Sequence, residues 1–537
     1  MNPFFATSMG VPGHDHEVPD YSPAGNAKFH ELDRELLDKL DEIDVTDEID
    51  RVTLAAIRER LGLEGELYDA GEHLASLNVI ASPLQSMRDI FDLMPTETVE
   101  NWQNIAARLS KLPQAMAGYI ESLRAGAKRG LVPAVRQVKE GIKQAEELAG
   151  PNSFFVSFAK KGADSVAAND PTLQQRLAAG AAAAQSAYQE LADFLVGELI
   201  KQAPEKDGVG KERYQRFSRY FLGDTVDLEE TYQWGIEELR RTIAEQTAVA
   251  AEIAGPGATV ADAVKVLDAD EKYILHGVTE LKAWMQETSN QAIRELNGTQ
   301  FDIPEVAQSL ECMIAPTQNG GIYYTPPSDD MSRPGRMWWS VPEGVNEFQT
   351  WQQRTTVYHE GVPGHHLQCS TAAINRDQLN SWRRNMCWCS GHGEGWALYA
   401  EKLMDELGYL KDAADRLGML FGQRMRAARV VFDIGMHLGL NAPPEWGGKP
   451  WDAETGWEFL KENMEKDEEF VRFEFNRYLG WPGQAPAYKI GQRLWEQARA
   501  RAEAAAVEKG EAFDIKAFHR NALALGSVPL CILRTEL

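Results

Sequence analysis

The chain has 537 residues, of which 43% are hydrophobic and 25% charged; it is long enough for a substantial core, and this make-up argues against global disorder. Its formal net charge of −26 repels phosphate backbones, which argues against nucleic acid as a partner. The five cysteines are too few, and odd in number, for a disulfide framework.

From the N-terminus, residues 1–28 are rich in Pro, Gly, Asp and His and read as a tail or loop. They show no basic n-region and no long apolar stretch, so no secretory signal is expected and cytoplasm is the expected compartment. Residues 29–300 read as a helical N-terminal half. Apolar residues recur at three and four among charged ones over Leu32–Leu61, Thr98–Gly126, Leu131–Leu148, Thr172–Ile200, Lys211–Tyr220, Asp227–Ile253, Thr259–Asp268 and Asp270–Leu296. The Ala-rich run Leu177–Tyr188 is too interrupted by polar residues to cross a bilayer, and no window reaches ~18 consecutive apolar residues. Breaks fall at Gly150-Pro151, Ala203-Pro204 and Gly255-Pro256-Gly257.

Near Phe301 the texture becomes aromatic, Pro-rich and Gly-rich. Short runs at Gly321–Thr325 and Arg336–Val341 predict strands, and helical patterns then return. The predicted fold class is mainly α: a large helical body with a small β element around residues 320–342. Residues 301–537 form the half that carries the chemistry, and one compact unit is expected.

Four of the eleven histidines, His359, His365, His366 and His392, fall within a short stretch. A hydrolytic zinc site needs three protein ligands, an open position and a carboxylate that takes a proton from water. His359-Glu360 followed by a second histidine on the same face supplies two ligands and a base, the logic of H-E-x-x-H. Here position 363 is Pro. On a straight helix His366 lies about 20° from His359 and His365 about 120° away. Pro363 and Gly364 break such a helix, however, and a local insertion can bring His365 round. Geometry alone leaves both open. Glu394, flanked by glycines at 393 and 395, is the candidate third ligand. Glu401, seven residues on and nearly on the same face, is a candidate to orient a ligand histidine. Two histidines and a carboxylate suit zinc, a set that zinc shares with iron. Cys387, Cys389 and His392 suggest a second metal only weakly, since a fourth ligand at a usual spacing is missing.

HEGVPGHHLQ, GEGWALYAE and PGQAPAYKIG, with YYTPPSDDMSRPGR and ARVVFDIGMHLG, resemble the bacterial family called domain of unknown function 885. The motifs run in family order from about Asn319 to Arg493. That family is grouped by similarity with gluzincin-type zinc metallopeptidases, so the resemblance implies a mainly helical metallopeptidase-like fold. Its pattern H-E-x-x-P-G-H implies His365 rather than His366. The implied set is His359, His365 and Glu394 as zinc ligands and Glu360 as general base.

The expected activity is hydrolysis of an amide bond in short peptides, carboxypeptidase-like or dipeptidase-like. An amidase acting on a non-peptide amide, and a helical binding protein with a vestigial metal site, are the alternatives. A homo-oligomer is compatible with the sequence. Tyr488 is the first candidate to stabilise the oxyanion, and His437, with Asp433 one turn before it, the second. Arg333, Arg429 and Lys489 are candidates for holding a substrate carboxylate. Tyr323 and Tyr324 lie where an edge strand would meet an extended substrate. Each has a structural alternative: a packed Tyr488 with its hydroxyl satisfied, an i,i+4 surface pair for His437 and Asp433, core packing for the rings of Tyr323 and Tyr324, and, for Arg333, Arg429 and Lys489, a salt bridge, which is the more frequent explanation.

Overall fold

The structure, a computed structural model, describes residues 2–315, 321–328 and 331–537. Asn319, Asp329 and Asp330 of the motif region, with Gly320 at the edge of the expected β element, lie outside the described residues. About 68% of the chain is helical and 5% is strand, so the fold is mainly α with a small β element. No helix among the described residues is long and apolar enough to cross a membrane.

The chain divides into two compact units. Unit 1 comprises residues 1–44, 61–209 and 472–481; unit 2 comprises 45–60, 210–471 and 482–537. Residues 210–300 thus share a unit with residues 301–471.

In unit 1, helix Val99–Lys128 is capped by Thr98, which forms a reciprocal capping box with Asn101. It packs on helix Pro171–Phe194. The contact is close because the facing residues are small. Ala181, Ala184 and Ala187 are buried, and a Cβ on Gly180 would stand 2.8 Å from the Leu109 Cβ. The Ala-rich run is therefore a packing face. Trp102, Met116, Phe155 and Tyr188 fill the same core. The expected tail is partly helical: Pro3–Ser8 is a helix with Phe4 buried. The continuous helix expected over Leu32–Leu61 is two helices, Pro23–Leu40 and Glu48–Ala70. Asp47 accepts the Asp50 amide at 2.9 Å and starts the second, since a short acidic side chain competes for backbone donors.

Among the described residues five strands form, all in unit 2: β1 (Ile274–His276), β2 (Leu310–Ile314), β3 (Ile322–Thr325), β4 (Gly335–Trp339) and β5 (Glu347–Gln349). β1 and β5 pair antiparallel. In the three-stranded sheet, β4 lies between a parallel β2 and an antiparallel β3. The helix expected over Asp270–Leu296 thus begins only at Gly277, whose φ of +85° turns the chain out of β1. Met337, Cys312 and Leu310 of the sheet pack with Leu281, Met285 and Val357. This core fixes the sheet against helix Thr350–Glu360, which ends at the His-Glu pair.

Candidate metal centre

Helix Thr350–Glu360 stops at Glu360, and a new helix starts at His365 and runs to Ile374. The interruption, Gly361 to Gly364, contains a cis Val362–Pro363 bond. Gly364 makes it possible: a Cβ there would fall 1.9 Å from the His359 carbonyl oxygen. The indole of Trp396 donates to the Pro363 carbonyl at 2.9 Å and holds the turn from helix Ser390–Glu406. The straight-helix count that favoured His366 fails because there is no straight helix. His366 is fully buried. Its Nε2 donates to the Ala307 carbonyl and its Nδ1 accepts the Tyr324 hydroxyl, both at 3.0 Å. Burial pushes its pKa down to about 4.

His365, about 100° further round the same helix, lines a cavity with His359 and Glu394. Its ring stands at 89° to that of His359, with centroids 4.9 Å apart. Oε2 of Glu394 lies 3.5 Å from Nε2 of His359 and 3.6 Å from Nε2 of His365. Among the described residues these three form the one cluster of metal-ligating type, with ligand atoms within 4.8 Å of one another. The separations exceed a normal hydrogen bond. They lie near the edge of about 3.3 Å expected between donor atoms of a tetrahedron with zinc–nitrogen bonds of ~2.0–2.1 Å. The donor set and its spacing therefore fit a cation.

Glu401 orients His359, the first candidate ligand. Its Oε1 accepts from Nδ1 of His359 at 2.8 Å, and its Oε2 accepts from the Thr355 hydroxyl. Nε2 of His359 is thereby left as the nitrogen that faces Glu394 and that a cation would take. Burial opposes charge on His359, but Glu394 and Glu401 outweigh it and raise its pKa to about 10. Burial likewise opposes ionisation of Glu401, and Arg426, His359 and Thr355 hold it below the usual carboxylate range. Glu360 is buried, and desolvation raises its carboxyl against the pull of His359 and His365. A carboxylate so placed accepts a proton more readily than one in water.

A cavity of about 550 Å³ opens on this cluster. His359, Glu360, His365 and Glu394 line it together with Tyr323, Tyr324, Arg429 and Tyr488, all anticipated from the sequence. Tyr323, 39% exposed, and Trp388, 48% exposed, stand where it meets solvent. The Arg429 guanidinium lies over the Tyr488 ring, 5.1 Å from its centroid. Arg426, Cys369, Trp388, Ile322 and Pro326 also line the cavity and were not singled out in the sequence. Arg426 had a usable signal, since it precedes Arg429 by three residues on one helix, Ala413–Leu438, and so shares its face.

Three candidates are not among the lining residues. His437 is buried beside the stacked Tyr214 ring, and Asp433 accepts the Tyr214 hydroxyl at 2.7 Å and the Gly483 amide at 2.8 Å. Lys489 is buried against Glu238 at 2.8 Å and also binds Gln423 and Gln492. A helix turns by about 100° per residue, so a lysine next to Tyr488 faces elsewhere. Arg333 closes its own loop on the carbonyls of Pro326, at 2.8 Å, and Pro334. Cys389 donates to the Phe221 carbonyl, and no second metal-ligating cluster forms at Cys387, Cys389 and His392 among the described residues. His392 accepts from Gln368 at 3.0 Å.

Helix Ser390–Glu406, which bears Glu394, packs closely on helix Ala487–Glu508, which bears Tyr488. Glycines make the approach possible. A Cβ on Gly395 would stand 2.4 Å from the Gly491 carbonyl carbon, and one on Gly491 2.1 Å from the Gly391 oxygen.

No curated protein matches the chain. Solved structures that share its fold include two bacterial proteins. The "putative lipoprotein from Colwellia psychrerythraea" is 22% identical with a TM-score of 0.84, over 99% of this chain and 95% of that one. A "putative lipoprotein of unknown function from Shewanella oneidensis" is 15% identical with a TM-score of 0.75, over 99% and 96%. The family model described as "Bacterial protein of unknown function (DUF885)" matches residues 3–537, essentially the whole sequence, and the chain therefore belongs to the DUF885 family.

Proposed function

We propose that the chain is a zinc-dependent hydrolase that cleaves amide bonds in short peptides, in line with its resemblance to gluzincin-type peptidases. The observation that carries this reading is the pair of separations, 3.5 and 3.6 Å, between Glu394 and the two imidazoles. They are too long for hydrogen bonds and suited to a shared cation. Zinc held there by His359, His365 and Glu394 would supply Lewis acidity, polarising a carbonyl and making water nucleophilic near neutral pH.

The chain's own residues supply the rest. Glu360, buried in the cavity wall, takes the proton of the attacking water and returns it to the leaving nitrogen. Glu401 holds the His359 tautomer. The Tyr488 hydroxyl, in the cavity lining, is our candidate donor to the oxyanion. The partly exposed Tyr323 and Trp388 flank the entrance where an extended peptide would lie.

Metal analysis of the purified protein, with a hydrolysis assay on short blocked and unblocked peptides before and after chelation, tests the proposal. Stoichiometric zinc and metal-restored hydrolysis are expected. Glu360→Gln should keep its zinc and lose about 10²–10⁴-fold in turnover. Absence of bound metal, with no hydrolysis gained on adding zinc, would overturn the reading.

A further inference from the structure

We infer that Trp388 forms a wall of a side-chain subsite beside the ligand cluster, and that this subsite selects peptides with a large apolar residue next to the scissile bond; the inference rests on the hydrolase reading and names its substrate class. The local chain explains why this indole is turned toward solvent. Cys387 and Cys389, on either side of it, are 4% and 1% exposed, whereas Trp388 is 48% exposed. Successive side chains alternate in extended backbone, and Cys389 is extended, with φ −136° and ψ 121°. Its thiol is held on the Phe221 carbonyl at 3.2 Å, and buried thiols pack as small hydrophobes. The two cysteines are thus anchors that leave the tryptophan between them at the surface. By contrast Trp102, Trp351, Trp396 and Trp495 are fully buried, as a purely packing role requires.

The ring also has a fixed place. A Cβ on Gly393 would stand 2.2 Å from its outer edge, so the indole lies against bare backbone of helix Ser390–Glu406, one residue before Glu394. Consecutive Cα atoms are about 3.8 Å apart, close to the span of one residue in an extended peptide. A substrate whose carbonyl reaches the cluster at Glu394 therefore brings the side chain of an adjoining residue within reach of this ring. Ile322, Tyr323 and Pro326 line the same cavity. The Tyr323 ring is itself stacked on Trp338, with centroids 6.2 Å apart. The Tyr324 hydroxyl is engaged by His366. A side chain that covers such surfaces removes apolar area from water on both partners. That gain grows with the apolar area of the side chain and is forfeited by a polar group left without a partner.

The probes are the tetrapeptides Ala-Phe-Phe-Ala, Ala-Gln-Gln-Ala and Ala-Ala-Ala-Ala. Calorimetry measures their binding to the zinc-loaded Glu360→Gln protein and to metal-stripped wild type. The phenylalanine peptide should bind about ten-fold or more tightly than either of the others in both. Trp388→Ala should remove most of that ratio by weakening the phenylalanine peptide, and Trp388→Phe should recover part of it, with helicity and zinc content unchanged. Trp388→Gln makes the same test should the alanine variant fail to fold. No preference for the phenylalanine peptide, including no binding of any of the three, overturns the inference. So does a ratio that survives the loss of the indole, or a weakening shared equally by all three peptides. A preference that depends on Trp388, in a zinc-loaded wild type that hydrolyses none of the peptides, would overturn the hydrolase reading instead and leave the subsite standing.

Discussion

Nδ1 of His359 donates to Glu401 across 2.8 Å, and Glu401 is 1% exposed. The bond leaves His359 a single nitrogen with which to bind anything else. Removing the charge of Glu401 while keeping its shape should therefore weaken the metal and not the fold. Glu401→Gln is expected to bind zinc 10–100-fold more weakly, read by competition with a chelator. Unchanged zinc affinity would show that the carboxylate does not support the ligand.

Two adjacent histidines should behave oppositely. His365→Ala is expected to lose zinc, because Nε2 of His365 faces Glu394. His366→Ala should retain zinc and lose stability, because it leaves the Ala307 carbonyl and the Tyr324 hydroxyl without their partner; each unsatisfied buried group costs about 1–3 kcal/mol. Metal content and urea unfolding of the two variants, side by side, check this.

In unit 1, Gly180→Leu should destabilise without touching the candidate site. Its Cβ would already stand 2.8 Å from Leu109, and overpacking of this kind typically costs about 1–3 kcal/mol. A midpoint of urea unfolding equal to that of wild type would count against the close helix contact.

His519 predicts an acid sensitivity. It is fully buried, donates from Nδ1 to the Gln300 carbonyl at 2.9 Å, and accepts the Tyr399 hydroxyl at 2.8 Å. Desolvation lowers its pKa from 6.5 to about 4. Between those two values the unfolded chain binds the proton and the folded chain does not. Its contribution is therefore complete above pH 6.5 and lost as pH falls toward 4, at up to about 1.4 kcal/mol per pH unit. Stability measured by urea unfolding from pH 7 to pH 5 should fall less steeply in His519→Gln than in wild type. Equal slopes would mean that this imidazole is protonated in the folded state.

The helical body was legible because periodicity and caps agree. Thr98 with Asn101, Asp227, and Thr259 with Asp262 each sit where a helix starts. The pairing of β1 with β5 was not legible. Strands of three residues carry little local signal, and their partnership spans the whole of helix Gly277–Leu296. At the site, His359, Glu360 and Glu394 could be read from local motifs, and Glu401 from helical spacing. The choice of His365 could not be derived from a helix count, because the helix ends at Glu360. Trp388 comes to the cavity through tertiary packing alone, whereas Arg426 was readable from its three-residue spacing to Arg429. Lys489, Arg333 and His437 show the converse: residues whose chemistry suits a site are held elsewhere by Glu238, by a loop's own carbonyls and by the core around Tyr214.

The glycine-to-glycine approach between the helices of Glu394 and Tyr488 has a mechanical consequence. With no side chain to compress between Gly395 and Gly491, the two backbones act as a fixed spacer gauge for the candidate cleft. A single methyl group inserted there would spread the jaws, moving the Glu394 carboxylate and the Tyr488 phenol apart though neither had itself been altered. The clearance of the cleft is thus set by atoms that take no part in its chemistry.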